Sequence, residues 1–149
     1  MSEHQSVRGV LFDLPATIDR AREYLGSRGL LERIELVGGD MFNAVPRGGE
    51  LYVISKVLND WSDERVVKIL KNTAAAMTTK SRLIVVEDIN SDDDVDLHST
   101  LRDLFFLACS GGEIRGIPEL RRLIVDAGLK ISRVVPVPGV FSIVECSLD

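Results

Sequence analysis

Apolar positions along the 149-residue chain change their spacing repeatedly, and each change marks an element. Val7-Arg8-Gly9-Val10-Leu11-Phe12-Asp13 reads as a buried strand ending in a carboxylate. Pro15 suits the first turn of a helix, where its missing N–H costs nothing. Ile18, Ala21 and Leu25 share one face of that helix, and Gly26 or Gly29 ends it. Ile34-Glu35-Leu36-Val37 is a second short strand and Leu51-Tyr52-Val53-Ile54-Ser55 a third. Asp60 or Ser62 is placed to cap a helix with Val66, Ile69, Leu70 and Ala74 as its apolar stripe. Arg82 to Glu87 is nearly all apolar, the pattern of a strand covered on both faces.

The acidic stretch Ser91 to Asp96 reads as a solvated loop. A helix from about Asp96 to Cys109 follows, with Leu101, Leu104, Phe105 and Ala108 on one stripe, and Gly111-Gly112 breaks it. Pro118 opens another helix with Leu120, Leu123, Ile124 and Ala127 inward and Gly128 closing it. Ile131 to Val137 and Val140 to Cys146 are β segments, and Pro138-Gly139 between them predicts an antiparallel hairpin. Alternating strands and helices with a terminal hairpin indicate an α/β open sheet, mostly parallel. Ligands on such sheets gather at the carboxyl ends of the strands. Asp13, Asp40, Lys56, Asn59 and Glu87 all fall at or just after strand ends.

Composition narrows the function. The chain is 45% apolar and 28% charged, as expected of one globular domain over residues 1–149. With 18 basic against 23 acidic residues the net charge is −5, and no basic run exceeds Arg121-Arg122. Nucleic acid is thereby a poor partner, since phosphate binding relies on a basic face. Cys109 and Cys146 lack any metal spacing and sit among apolar residues, which reads as two reduced, buried thiols. His and acidic residues form no ligand cluster, so no metal is expected. No apolar run is long enough to span a membrane. The start, Met1-Ser2-Glu3-His4-Gln5, has neither the basic nor the apolar part of a signal peptide, so a cytoplasmic location is expected.

Four segments in order carry a resemblance: Phe12-Asp13-Leu14-Pro15; Gly38-Gly39-Asp40-Met41-Phe42; Asn59-Asp60-Trp61-Ser62-Asp63-Glu64; and Val86-Glu87 followed by Gly111-Gly112. Together they resemble the catalytic domain of the S-adenosylmethionine-dependent O-methyltransferases of plant phenolics and bacterial natural products, from about Val10 onward. The resemblance implies a Rossmann-like class I methyltransferase sheet. It implies S-adenosylmethionine as cofactor, with Asp13 on the ribose hydroxyls and Asp40 and Met41 on the adenine. A carboxylate can accept from two vicinal hydroxyls, and a Met offers a polarizable surface to a flat ring. Read alone, Asp13 and Asp40 are more readily turn or cap residues, and Met41 core.

The same resemblance exposes departures. The family's base is a His before Asp-Trp, suited to taking a phenolic proton; here that position is Asn59. Of two family Glu residues, Glu87 matches the first, while the second falls on Ile114, one position from Glu113. A family Lys falls on Ser55, with Lys56 displaced by one. His98 is the other candidate base, though it stands on no motif. The family's glycine-rich turn, first strand and N-terminal region have no counterpart in the residues matched.

In the family that strand lies mid-sheet. Its loss detaches Val10–Asp13 and Ile34–Val37 from Leu51–Ser55, and each unsatisfied buried backbone group costs roughly 1–3 kcal/mol. An incomplete sheet completed by an obligate partner chain is therefore expected. The first functional reading is the small subunit of a two-component natural-product enzyme with a methyltransferase-like fold. Without methyl transfer, it would perform a cyclisation or intramolecular substitution, such as nitrogen-ring formation, on a small-molecule substrate, with Asn59, Glu87 and Lys56 as candidate catalytic residues. The alternative is one half of a split S-adenosylmethionine-dependent O-methyltransferase. A further alternative is a non-catalytic stabilising or regulatory subunit.

Overall fold

The computed structural model describes His4 and residues 6–89, 97–137 and 141–149, apart from the side chains of 97–99, 102, 103, 110 and 136. Two units are resolved, Met1–Pro46 and Arg47–Asp149. The described strands form two sheets that share no pairing, β1–β2 and a four-stranded sheet ordered β3-β4-β6-β5.

The first unit is a βαβ arrangement. Strands β1 (Gly9–Asp13) and β2 (Ile34–Gly38) pair in parallel, with Asp13 opposite Gly38. Helix α1 (Pro15–Ser27) begins with proline in its first turn and buries Ile18 and Leu25. Gly29, at a left-handed φ of 65°, turns the chain out of the helix, as only glycine does without strain. Val10 and Leu14 stay exposed, so the unit has a small core.

The second unit holds the larger core. Strand β3 (Leu51–Ser55) runs parallel to β4 (Arg82–Asp88); β6 (Phe141–Leu148) is antiparallel to both β4 and β5 (Leu129–Pro136). The antiparallel hairpin is thus present, while the Pro138-Gly139 turn lies outside the described residues, as does the acidic loop Ser91 to Asp96. Leu83 stands opposite Cys146 and Val85 opposite Val144, one fully buried face of the sheet. Helices α2 (Asp63–Ala76) and α4 (Ile117–Asp126) contribute Val66, Ile69, Leu70, Leu120, Leu123 and Ile124 to the same core. Tyr52 ties β3 to the end of α2 by donating from its hydroxyl to the Ala76 carbonyl at 2.9 Å.

Four expectations are corrected. The first strand, read as buried, leaves Val7, Val10, Leu11 and Asp13 exposed. β4 is buried on one face only: Leu83, Val85 and Glu87 are inside, while Ile84 and Val86 are half-buried beside Val53, which is 60% exposed. Helix α3 (Leu97–Ser110) forms, but its stripe of Leu101, Leu104 and Phe105 is exposed, Phe105 by 63%. Cys109 on that helix is therefore exposed, and only Cys146 is buried. Among the described residues nothing covers these apolar surfaces. Ser62 takes the cap position of α2 without a side-chain hydrogen bond; Asp63 and Glu64 in the first turn supply the negative charge a helix start favours. No helix among the described residues is long and apolar enough to cross a membrane, and no three His, Cys, Asp or Glu side chains among them group to hold a metal.

Candidate functional site

The elbow after β3 gathers Lys56, Asn59 and Glu87. Strand β3 ends at Ser55, and Lys56 adopts a left-handed φ of 56°, which costs a non-glycine residue about 1–2 kcal/mol. Its amide donates to the Val86 carbonyl at 3.0 Å, and its Nζ lies 4.4 Å from the centre of the Phe141 ring. A short 3-10 turn, Leu58–Asp60, leads into α2. Glu87, 3% exposed, underpins that turn: its Oε1 accepts from the amides of Val57 and Leu58, both at 2.7 Å. Burial pushes the Glu87 carboxyl above its ordinary range; the two amides pull it down without cancelling that rise.

Asn59, 4% exposed, donates from Nδ2 to the Asp88 carbonyl at 2.8 Å. Because a carbonyl only accepts, this bond fixes which end of the amide is nitrogen. The Asn59 backbone carbonyl accepts from the Glu113 amide at 3.1 Å. That approach requires Gly112, since a Cβ there would collide with the Asn59 carbonyl oxygen and stand 2.8 Å from its carbonyl carbon.

Arg115 closes the elbow from the other side. It is 4% exposed, and its Nε donates to Asp63 Oδ1 at 2.9 Å. Its two terminal nitrogens reach the carbonyls of Leu58 at 3.1 Å, Trp61 at 2.8 Å and Glu113 at 3.4 Å, and Glu113 Oε1 at 3.1 Å. For Asp63, burial alone raises the carboxyl; hydrogen bonds and charge from Arg115 and Arg122 outweigh it and hold the group below its ordinary value. The sequence reading missed Arg115; its slight signal is one cation in the apolar run Ile114-Arg115-Gly116-Ile117.

The elbow offers little proton-accepting capacity. Ile114 is buried and apolar, and Glu113 pairs with Arg115 through Oε1 on a side chain that stays largely exposed. Glu87 is an acid whose Oε1 is occupied by two amides. His98 falls in α3, and its side chain lies outside the described residues.

The other three candidates lie in the first unit, at the carboxyl ends of its paired strands. Asp13 closes β1, and Gly38-Gly39-Asp40-Met41 follows β2, with the Gly39 amide donating to the Asp13 carbonyl at 2.9 Å. Asp13 is exposed; Oδ1 accepts from the Leu14 amide at 2.6 Å, and among the described residues no donor meets Oδ2. It fits a vicinal diol. Asp40 is more committed, accepting from the Phe42 amide at 2.8 Å and from Asn43 Nδ2 at 3.3 Å. Met41 is half-buried beside it. Of these residues only Asp13 leaves a carboxylate oxygen open to a ligand hydroxyl, while both oxygens of Asp40 are engaged within their own turn.

Parallel strands with acids at their carboxyl ends, a glycine-aspartate-methionine turn and an Asn-Asp-Trp elbow define a class I methyltransferase-like α/β protein. The chain belongs to the O-methyltransferase domain family, whose model matches residues 1–130. It is 40% identical over 152 residues to O-demethylpuromycin-O-methyltransferase of Streptomyces alboniger, covering 99% of this chain and 40% of that protein. It is 34% identical over 146 residues to aclacinomycin 10-hydroxylase of Streptomyces purpurascens, covering 93% and 39%. It superposes with a TM-score of 0.89 and 31% identity on an O-methyltransferase from neocarzinostatin biosynthesis in complex with S-adenosylmethionine and 2-hydroxy-5-methyl naphthoic acid, covering 99% and 43%. The chain therefore spans about two fifths of the length of these relatives.

Proposed function

We propose that this chain is one half of a split S-adenosylmethionine-dependent methyltransferase of natural-product biosynthesis, completed by a second polypeptide that carries the glycine-rich turn, the middle strand and the N-terminal region. The observation that carries this reading is the junction of Asp13 with Gly38-Gly39-Asp40-Met41 at the ends of two paired parallel strands, in a chain of this family. The division into two sheets and the uncovered Leu51, Val53, Leu104 and Phe105 support a completing partner. When bound, the cofactor supplies an electrophilic methyl group. Asp13 would hold its ribose, Asp40 and Met41 would border its adenine, and Asn59 would orient the substrate by hydrogen bonding. Asn59 cannot take a proton at ordinary pH. The proton of a hydroxyl nucleophile therefore goes to a group other than Asn59 or to solvent.

Calorimetry of the reconstituted complex with S-adenosylhomocysteine, followed by methyl transfer from labelled donor, tests this. Binding that Asp13→Ala weakens at least tenfold is the expected result. A complex that forms but neither binds the thioether nor transfers the label refutes it. Light scattering of the chain alone tests the partner: a stable, well-folded monomer argues against it.

A second reading has specific support. Asn59 and Ile114 together remove the family's base and its second acid, and a relative at 34% identity carries the name of a hydroxylase. In that reading the chain serves a non-methylating reaction such as ring closure by intramolecular substitution. Product formed by the complex without S-adenosylmethionine would favour it; strict dependence on the cofactor would end it.

A further inference from the structure

We propose that Arg115 is a positioning residue for Asn59, acting through the backbone of the turn that carries it. The inference rests on the reading above only in assuming that this elbow faces the substrate.

Every N–H of the guanidinium is used. A guanidinium has five donors in a rigid planar fork. Here they meet the Asp63 carboxylate, the carbonyls of Leu58, Trp61 and Glu113, and the Glu113 carboxylate. The carbonyls of Leu58 and Trp61 are the important pair because they bracket Asn59 and Asp60. Holding both fixes the turn from its two ends. Glu87 grips the opposite polarity of the same segment, the amides of Val57 and Leu58. The Glu113 amide on the Asn59 carbonyl, admitted by Gly112, is the third restraint. Asn59 Nδ2 on Asp88 is the fourth. A solvent-exposed arginine would add little here. This one is 4% exposed, so water cannot replace its bonds when it is removed.

A structural ion pair alone does not account for this arrangement. Asp63 already has Arg122 on its other oxygen. The donors of Arg115 beyond Asp63 go chiefly to main-chain carbonyls of the turn and its facing loop. A lysine has three donors radiating from one point and cannot span Leu58 and Trp61 as the planar fork does. Misplacement of a site group by about 1 Å can cost about a hundredfold in rate.

The test uses the reconstituted complex with Arg115→Met, Arg115→Lys and, as a control for the Asp63 pairing, Arg122→Met. The expected result for Arg115→Met is a kcat about a hundredfold lower, with affinity for S-adenosylhomocysteine within twofold of wild type. Arg115→Lys recovers part of the loss, and Arg122→Met keeps wild-type turnover. An activity-independent readout runs beside it: nitrogen-edited NMR of the Asn59 side-chain amide. In wild type its protons exchange slowly; in Arg115→Met they exchange at least tenfold faster, while amides of β4 and β6 keep their protection. Unchanged Asn59 exchange in folded Arg115→Met overturns the proposal, as does faster exchange spread evenly over residues 47–149. If the wild-type complex transfers no methyl group, the reading of function fails, and the Asn59 exchange still decides the role of Arg115.

Discussion

Glu87 allows the elbow to be perturbed without touching Asn59. Glu87→Ala removes the acceptor of two amides. The Leu58 amide is buried, and leaving it unsatisfied costs about 1–3 kcal/mol; the Val57 amide is half-buried and water can partly serve it. The expected loss is about 1–4 kcal/mol, a large share of a stability of about 5–15 kcal/mol. Glu87→Gln keeps a neutral oxygen in place for both amides, as the protonated acid does, and is expected to cost much less than Glu87→Ala. The pH dependence separates the two effects. Burial raises the folded-state pKa of Glu87, so the folded protein holds that proton more tightly than the unfolded chain does. Its contribution is fully present below the unfolded value near 4.5 and is lost as pH rises through the higher folded value. Glu87→Gln has no such slope, so wild type loses stability relative to it as pH rises from 4. Urea unfolding followed by fluorescence of Trp61, the sole tryptophan, measures this at each pH. Equal stabilities for the Ala and Gln variants, or parallel pH profiles for Gln and wild type, would refute the reasoning.

Gly112→Ala places a Cβ inside the Asn59 carbonyl and is expected to displace the loop, lowering the thermal midpoint by more than 5 °C, or about 1 kcal/mol or more in a domain of this size; an unchanged midpoint would show the approach is not tight. Thiol titration of the native protein should find one fast cysteine, the exposed Cys109, and one inert one. Cys146 is buried, which, with the Glu145 charge, pushes its thiol up to about 12; two fast equivalents would contradict the fold.

Much of this was readable because the signals are local. Leu51–Ser55 is an apolar run of strand length that ends where the strand ends, Pro15 starts α1, and the apolar stripes of α2 and α4 are the ones that go inside. Candidate site residues at strand ends fall in two groups, one per unit, because in a parallel sheet that is where the chain leaves its hydrogen bonds. Arg115 was not readable, since its partners Leu58, Trp61 and Asp63 lie 52 to 57 positions away. Nor was the exposure of Leu101, Leu104 and Phe105: an apolar stripe shows that a helix needs a cover, not whether this chain contains it. Lys56 gave no warning of its left-handed backbone, which the Val86 carbonyl and the Phe141 ring together sustain.

The two-stranded sheet of residues 1–46 has a further consequence. Two strands under one helix, burying little beyond Ile18 and Leu25, are marginally stable by themselves. Yet Asp13, Asp40 and Met41 lie there. A ligand that binds only the ordered form of this segment must first draw on its folding equilibrium, and apparent affinity falls by the fraction that is ordered. If that fraction were about one in a hundred, the isolated chain would bind about a hundredfold more weakly than the completed domain, with every contact residue intact. Ligand titration would then serve as a gauge of assembly, with the dissociation constant tightening as whatever completes the sheet is added.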